Sequence, residues 1–160
     1  MSLSDLAAIG TLVGGIAVLA SLIFVGVELR QNTRAVRATA SQAHTANWQQ
    51  IMNTFVENAD VALLWRNGLK NLESLADDDR IRFIALASGI FRFWEGARLQ
   101  WRHGQLDAEH WQNVRTCALD FASQPGLRAY WHIRRHWHSA DFQEWFEALP
   151  MAEAHAPYDK

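Results

Sequence analysis

No charged residue interrupts the chain between Leu6 and Val27. An apolar run of that length can cross the roughly 30 Å hydrocarbon core of a bilayer as one helix. Its small residues are ordered. Ala7, Gly10, Gly14, Ala17 and Ser21 recur at alternating steps of three and four, which puts them on one helix face. Small residues let helix backbones approach closely where lipid supplies no hydrophobic drive. The run therefore predicts a membrane span, with these five residues as an oligomer interface. One span per chain makes the expected partner a second copy of the chain, with a dimer as the simplest closed form and a larger ring as an alternative.

The flanks set the expected orientation. The first residues hold no Lys or Arg, whereas Arg30, Arg34 and Arg37 follow the run closely. Positive charge stays on the cytoplasmic side, so the N-terminus is expected outside and the main domain inside. The run is too long for a signal-peptide core and lacks a small-x-small cleavage site before these arginines. An uncleaved anchor is the expectation.

The small stripe continues in heptad register beyond the span. With Ala7 at position a, the a series is Ala7, Gly14, Ser21, Glu28, Ala35 and Gln42. The d series is Gly10, Ala17, Phe24, Gln31, Ala38 and Thr45. A seven-residue repeat implies a left-handed crossing, although Gly10 and Gly14 also form GxxxG, which favours a right-handed pair. The opposite face, with Ile9, Leu12, Val13, Ile16, Leu19, Leu22 and Ile23, suits lipid. In a ring, Glu28 and Gln31 would sit at the mouth of a pore, where carboxylates favour cations. The plainer expectation is that Glu28 reaches interfacial water or pairs with Arg30 and Asn32.

The remaining residues read at helical period, and none alternates like a strand. The fold class is therefore all-α: one long N-terminal transmembrane helix continuing into a cytoplasmic helical bundle. Residues 1–27 are the span and 28–150 the helical domain. Within it, 28–57 continue the membrane helix, and 151–160 form a loose tail. A helix from about Asp5 to Val56 would be about 75 Å long at 1.5 Å per residue. Val36, Ala40, Ala43, Asn47, Ile51 and Phe55, with Trp48 beside them, would form the apolar face of its extension. A short helix is expected over Asp60–Leu69, weakened at its end by Asn67 and Gly68. Ser74 and Asp77 suggest a cap for a central helix ending at His103, with Gly104 beyond it. Asp107 with Leu106 and Trp111, Pro125, and Ser139 mark later helix starts.

Composition narrows the functional classes. A net charge of -2 gives no whole-chain attraction to nucleic acid. Cys117 is the single cysteine, so there is no internal disulfide and no cysteine-based zinc site. Eight tryptophans all follow the apolar run; a heavily aromatic core is expected, with interfacial belts as the alternative. His132 and His136, four apart with His138 nearby, have a metal-binding spacing, but nothing adjacent completes a ligand set. No metal and no cofactor is expected. The stretch RAYWHIRRHWH (128–138) interleaves bases and aromatics as nucleic-acid surfaces do. Core or protein interface is the favoured reading, with anionic headgroups a further one.

Several segments together resemble a known family. They are ASLIFVGVELRQNTRAVRATA (20–40), LWRNGL (64–69), FRFWEGARLQWRHGQLDAEHW (91–111) and SQPGLRAYW (123–131). They are similar to an uncharacterised bacterial family of small, single-span helical proteins with an RQNTRAVRA-type membrane exit. The resemblance covers nearly the whole chain and implies an inner-membrane location and an architecture, with no assigned activity. Glu28-Leu29 departs from the family pattern before RQNT, so no pore-mouth role for Glu28 follows from it.

Arg98 and His103 enclose four residues on the central helix, which is similar to the Arg-x4-His signature of HEPN ribonucleases. That likeness implies a dimeric site in which His and Arg act on the 2′-OH and the scissile phosphate. The layout also resembles a pore-forming membrane accessory protein of RNA-targeting CRISPR systems that carries a HEPN-like domain. The leading expectation is a non-enzymatic, self-assembling membrane scaffold or pore with a helical collar. The alternatives are a ribonuclease using Arg98 and His103, or an anchored sensor or adaptor binding a ligand or partner in its Trp-rich domain.

Overall fold

The computed structural model describes residues 3–150, apart from the side chains of residues 5, 7 and 8. The expected tail, 151–160, lies outside the described residues. Six α-helices and two short 3-10 turns make up the fold, with no strand among the described residues. The chain divides into two compact units, Met1–Ala38 and Thr39–Lys160.

The first unit is helical throughout its described length. Helix α1, Leu3–Glu57, passes through it and into the second unit. It contains no proline, and none of its apolar window is buried. Among the described residues it is the one helix long and apolar enough to cross a membrane.

The second unit is a helical bundle. After α1 come α2 (Ala59–Lys70), α3 (Asp77–Arg102), α4 (Ala108–Ala122), α5 (Pro125–Arg134) and α6 (Ala140–Glu147). Helix α3 is central. Phe83, Ala87, Ile90, Phe91, Phe93, Trp94 and Ala97 are buried along it, and at 3.6 residues per turn these positions span about 160° of its circumference, a broad apolar face turned to the core. Its ends are less covered: Ile81 and Leu99 are exposed.

Most helix boundaries follow local chemistry. Asn58 caps α2 by accepting from the N–H groups of Asp60 and Val61. The Asp107 carboxylate accepts from His110 N–H at 2.7 Å, and Leu106 and Trp111 beside it are both buried, as a hydrophobic staple requires. Pro125 occupies the first turn of α5, and the Ser139 hydroxyl caps α6. Gly104 has φ 67° after the end of α3, the left-handed step that glycine takes without strain.

Three expectations are corrected. Ser74 does not cap α3. Its hydroxyl donates to Asn71 C=O at 2.8 Å inside the 3-10 turn Leu72–Ser74, which Asn71 opens. Helix α3 starts at Asp77 with no side-chain cap bond, and Asp77, Asp78 and Asp79 fill its first turn, where negative charge favours the helix dipole. On the extension of α1, the inward residues are His44, Trp48, Ile51 and Phe55 rather than Ala43 and Asn47. The bundle takes up the large rings, which turns the buried face by one residue. Gly68 is a packing residue and no mere weak end of α2: it is buried, and a Cβ there would overlap the Phe83 ring.

Gly68 also meets Gly126 of α5. A Cβ on Gly126 would collide with the Gly68 carbonyl and crowd the Leu69 Cα at 3.0 Å. These neighbours are backbone, so a rotamer change cannot relieve the clash. Gly126→Ala is expected to destabilise the bundle by about 2 kcal/mol, within the range for overpacking. Thermal unfolding followed by circular dichroism checks this, with Ala129→Gly on the same helix as the comparison.

Candidate functional sites on the apolar helix and in the aromatic bundle

On the N-terminal unit, Gly10, Gly14, Ala17 and Ser21 are exposed, and the Ala7 side chain lies outside the described residues. A Cβ at Gly10 or Gly14 would meet nothing within 4 Å. The Ser21 hydroxyl donates to Ala17 C=O at 2.9 Å, so its polar group is satisfied within its own helix, as an apolar medium demands. Glu28, Gln31, Arg30, Arg34 and Arg37 are all exposed. The Thr33 hydroxyl likewise donates to Leu29 C=O.

The bundle places Arg98 and His103 differently. Arg98 is committed to α6: its Nε and terminal NH2 donate to the two Asp141 oxygens at 2.8 and 3.1 Å. Its guanidinium also lies 5.4 Å from the Trp145 ring centroid, and its side chain is only 16% exposed. Arg102 adds a second ion pair to Asp141 at 2.5 Å. Hydrogen bonds from Arg98, together with Arg102, hold the Asp141 carboxyl below its ordinary range. His103 is exposed at the C-cap of α3. A five-residue separation turns it about 140° round the helix from Arg98. The arrangement is a helix-to-helix clamp, with the arginine already neutralised.

A buried polar seam crosses the aromatic core behind this clamp. His138 is 5% exposed and stacks on Trp131, with ring centroids 5.5 Å apart. Its Nδ1 lies 2.8 Å from Glu95 Oε2, while Ser139 N–H donates to Glu95 Oε1 at 2.7 Å. On the other side, His138 Nε2 is 3.5 Å from the Tyr130 hydroxyl, which donates to Ser88 Oγ at 3.0 Å. Ser88 in turn donates to Ile84 C=O. Burial alone would raise the Glu95 pKa, but the bonds from Ser139 and His138 prevail and lower it. Burial raises the Tyr130 pKa. Every member has a partner, the condition for a buried polar network to be tolerated.

A second histidine pair joins the α1 extension to α4. His44 is 6% exposed. Its Nδ1 lies 3.2 Å from His110 Nε2, its Nε2 lies 3.4 Å from Phe93 C=O, and its ring sits 3.9 Å from that of Phe93. Below the pair, Ser41 donates to Asp107. With His44 Nε2–H donating to the carbonyl, Nδ1 is left to accept from His110, a neutral arrangement. Desolvation lowers the His44 pKa, outweighing the Phe93 carbonyl, and His110 lowers it further.

Tryptophan forms core. Trp65, Trp94, Trp111 and Trp131 are buried, and Trp48 and Trp145 pack against that core. Trp101 and Trp137 stay more exposed, Trp101 stacking on Trp111 and Trp137 lying under the Arg134 guanidinium. The 128–138 stretch is thus split: Tyr130, Trp131 and His138 face inward, whereas Arg128, His132, Arg135 and His136 are exposed. His132 and His136 do not share a continuous α-helix, because α5 ends at Arg134 and His136 lies in a 3-10 turn. Among the described residues, no three His, Cys, Asp or Glu side chains group as metal ligands do. Burial raises the Cys117 thiol to about 11, so it is not a reactive thiolate at neutral pH. The buried histidines 44 and 138 escape periodicity arguments, because only the tertiary contacts show which polar residues turn inward.

Two outcomes follow. His44 binds a proton less readily folded than unfolded, so stability falls with falling pH. The loss begins as pH drops through about 6.5, the unfolded value, and levels off below the lowered folded value. His44→Phe keeps a ring against Phe93 and removes the titration, so its unfolding midpoint between pH 8 and 5 should be flatter than that of the wild type. Arg98→Met keeps much of the stem but leaves Asp141 with Arg102 alone. A loss of about 1 kcal/mol in denaturant unfolding is expected, reduced from the usual charged-bond value by the exposure of Asp141.

No family model, curated protein or solved structure matches the chain.

Proposed function

We propose that the chain is a self-assembling membrane scaffold, anchored in the bacterial inner membrane by α1, with its N-terminus outside and the aromatic bundle in the cytoplasm. The observation that carries this reading is an 18-residue helical window of mean hydropathy 2.3 with none of its surface buried. A soluble protein hides such a surface in its core; a bilayer covers it without help from the rest of the chain. Arg30, Arg34 and Arg37 after the window, with no Lys or Arg before it, support the orientation.

Self-association draws its support from the open small-residue face at Gly10, Gly14, Ala17 and Ser21. Close approach there gains dispersion and weak backbone contacts that lipid cannot match. The helical bundle would then form a collar. In the pore version of this reading, Glu28 and Gln31 ring the mouth. The ribonuclease reading has less support, because Arg98 is paired with Asp141 and a phosphate would have to displace that carboxylate.

Mass measurement of the full chain in detergent tests the proposal. The wild type should run as a homo-oligomer, and Gly14→Leu should shift it toward monomer by holding the backbones apart. A wild-type monomer, or an oligomer indifferent to both Gly10→Leu and Gly14→Leu, overturns assembly through this face. Ion flux through liposomes then separates the versions: flux reduced by Glu28→Gln marks a pore, and absence of flux leaves a scaffold.

A further inference from the structure

The C-terminal unit holds a cavity of about 330 Å³ where α5 and α6 meet the end of α4. That is within the size range of small-molecule sites. Its lining has two characters. Trp131, Phe146 and Leu149 are buried and apolar. Arg128, His132 and Arg135 also line it but are exposed. Arg128 and His132, four apart, share one side of α5, and Arg135 follows at its C-cap, so the basic groups gather at the mouth and the rings lie within.

The two arginines are not equivalent. Arg135 pairs with Glu147 at 3.3 Å, both side chains being about half exposed, a contact that contributes little. The Arg128 guanidinium has neither an ion pair nor a hydrogen bond among the described residues. The lining therefore offers one guanidinium ready for an acid, beside an apolar hollow ready for a hydrocarbon body. The Trp131 indole N–H adds a buried donor that no group among the described residues satisfies.

We propose that this cavity binds a small organic acid, a carboxylate carried on an aromatic or short aliphatic body. Arg128 holds the carboxylate with a charge-assisted, bidentate hydrogen bond, while Trp131 and Phe146 cover the apolar part. A cation would face Arg128 and Arg135, and a purely polar anion would leave the hollow unfilled. The site goes beyond scaffolding and does not depend on it, since every lining residue belongs to the C-terminal unit.

The test uses the full chain in zwitterionic lipid nanodiscs, with empty nanodiscs subtracted, titrated calorimetrically with 1-naphthoate and with the neutral 1-naphthalenemethanol. Naphthoate should bind saturably, one per chain, and the alcohol about tenfold more weakly or worse. Arg128→Gln should weaken naphthoate about tenfold and leave the alcohol unchanged. This side chain is exposed and makes no ion pair among the described residues, so its removal spares the fold. Ala122→Phe, which fills the cavity from α4, should weaken both ligands, with thermal unfolding confirming a folded variant. No saturable naphthoate binding, equal binding of the two ligands, or an unchanged naphthoate affinity in Arg128→Gln overturns the proposal. None of these results alters the oligomer mass, so the two proposals fail separately.

Discussion

The bundle depends on the aromatic contacts that surround the middle of α3. Phe91 alone packs against Trp94 on its own helix, Tyr130 and Trp131 on α5, and His138, Phe142 and Phe146 around α6. Large rings bury much apolar area for few rotatable bonds, so a bundle of short helices gains a firm core at modest entropic cost. The tight crossing of α2 and α5 at Gly68 and Gly126 closes the opposite side of the same core. Helices of 8 to 15 residues, such as α2, α4, α5 and α6, are marginal in isolation; this packing holds them.

Polar groups inside such a core need complete partnering. The Glu95–His138–Tyr130–Ser88 seam supplies it, and Glu95 also secures the start of α6 through Ser139. Apolar packing is tolerant of small shifts, whereas a hydrogen bond requires direction. The seam therefore fixes where α6 sits along α3, and the Arg98–Asp141 clamp fixes it again one turn on. His44 does the same for the α1 extension, through His110 and Phe93. The functional consequence is that Arg98, conspicuous in sequence, is occupied in structure, while Arg128, inconspicuous in sequence, has no ion pair among the described residues and lines a cavity.

The apolar unit obeys different physics. On the proposed reading its apolar residues would be satisfied by lipid and its backbone by its own hydrogen bonds. Among the described residues, a Cβ at Gly10 or Gly14 on the small-residue face would meet nothing within 4 Å. Apolar side chains are thus buried in the bundle and exposed along the N-terminal helix.

Much of this was legible residue by residue. The helix starts at Asp107, Pro125 and Ser139 and the stop at Gly104 depend on two to four neighbouring residues, and each sits where its local chemistry says. The capping motif at Ser74 failed for an equally local reason, since Asn71 opened a competing 3-10 turn first. The face of the α1 extension failed for a non-local one. Period alone separates faces by only one residue's rotation, and the ring contacts of His44 and Trp48 with Phe93 decided between them. By itself the sequence determined an all-helical chain with one segment long and apolar enough for a membrane, because period, caps and hydropathy are properties of contiguous residues. Only the tertiary structure decided that Gly68 and Gly126 are a contact, that His44 and His138 are interior, that Arg98 is neutralised and that Arg128 lines a cavity. Each of these is a meeting of residues far apart in the chain, settled by packing and partnering across helices.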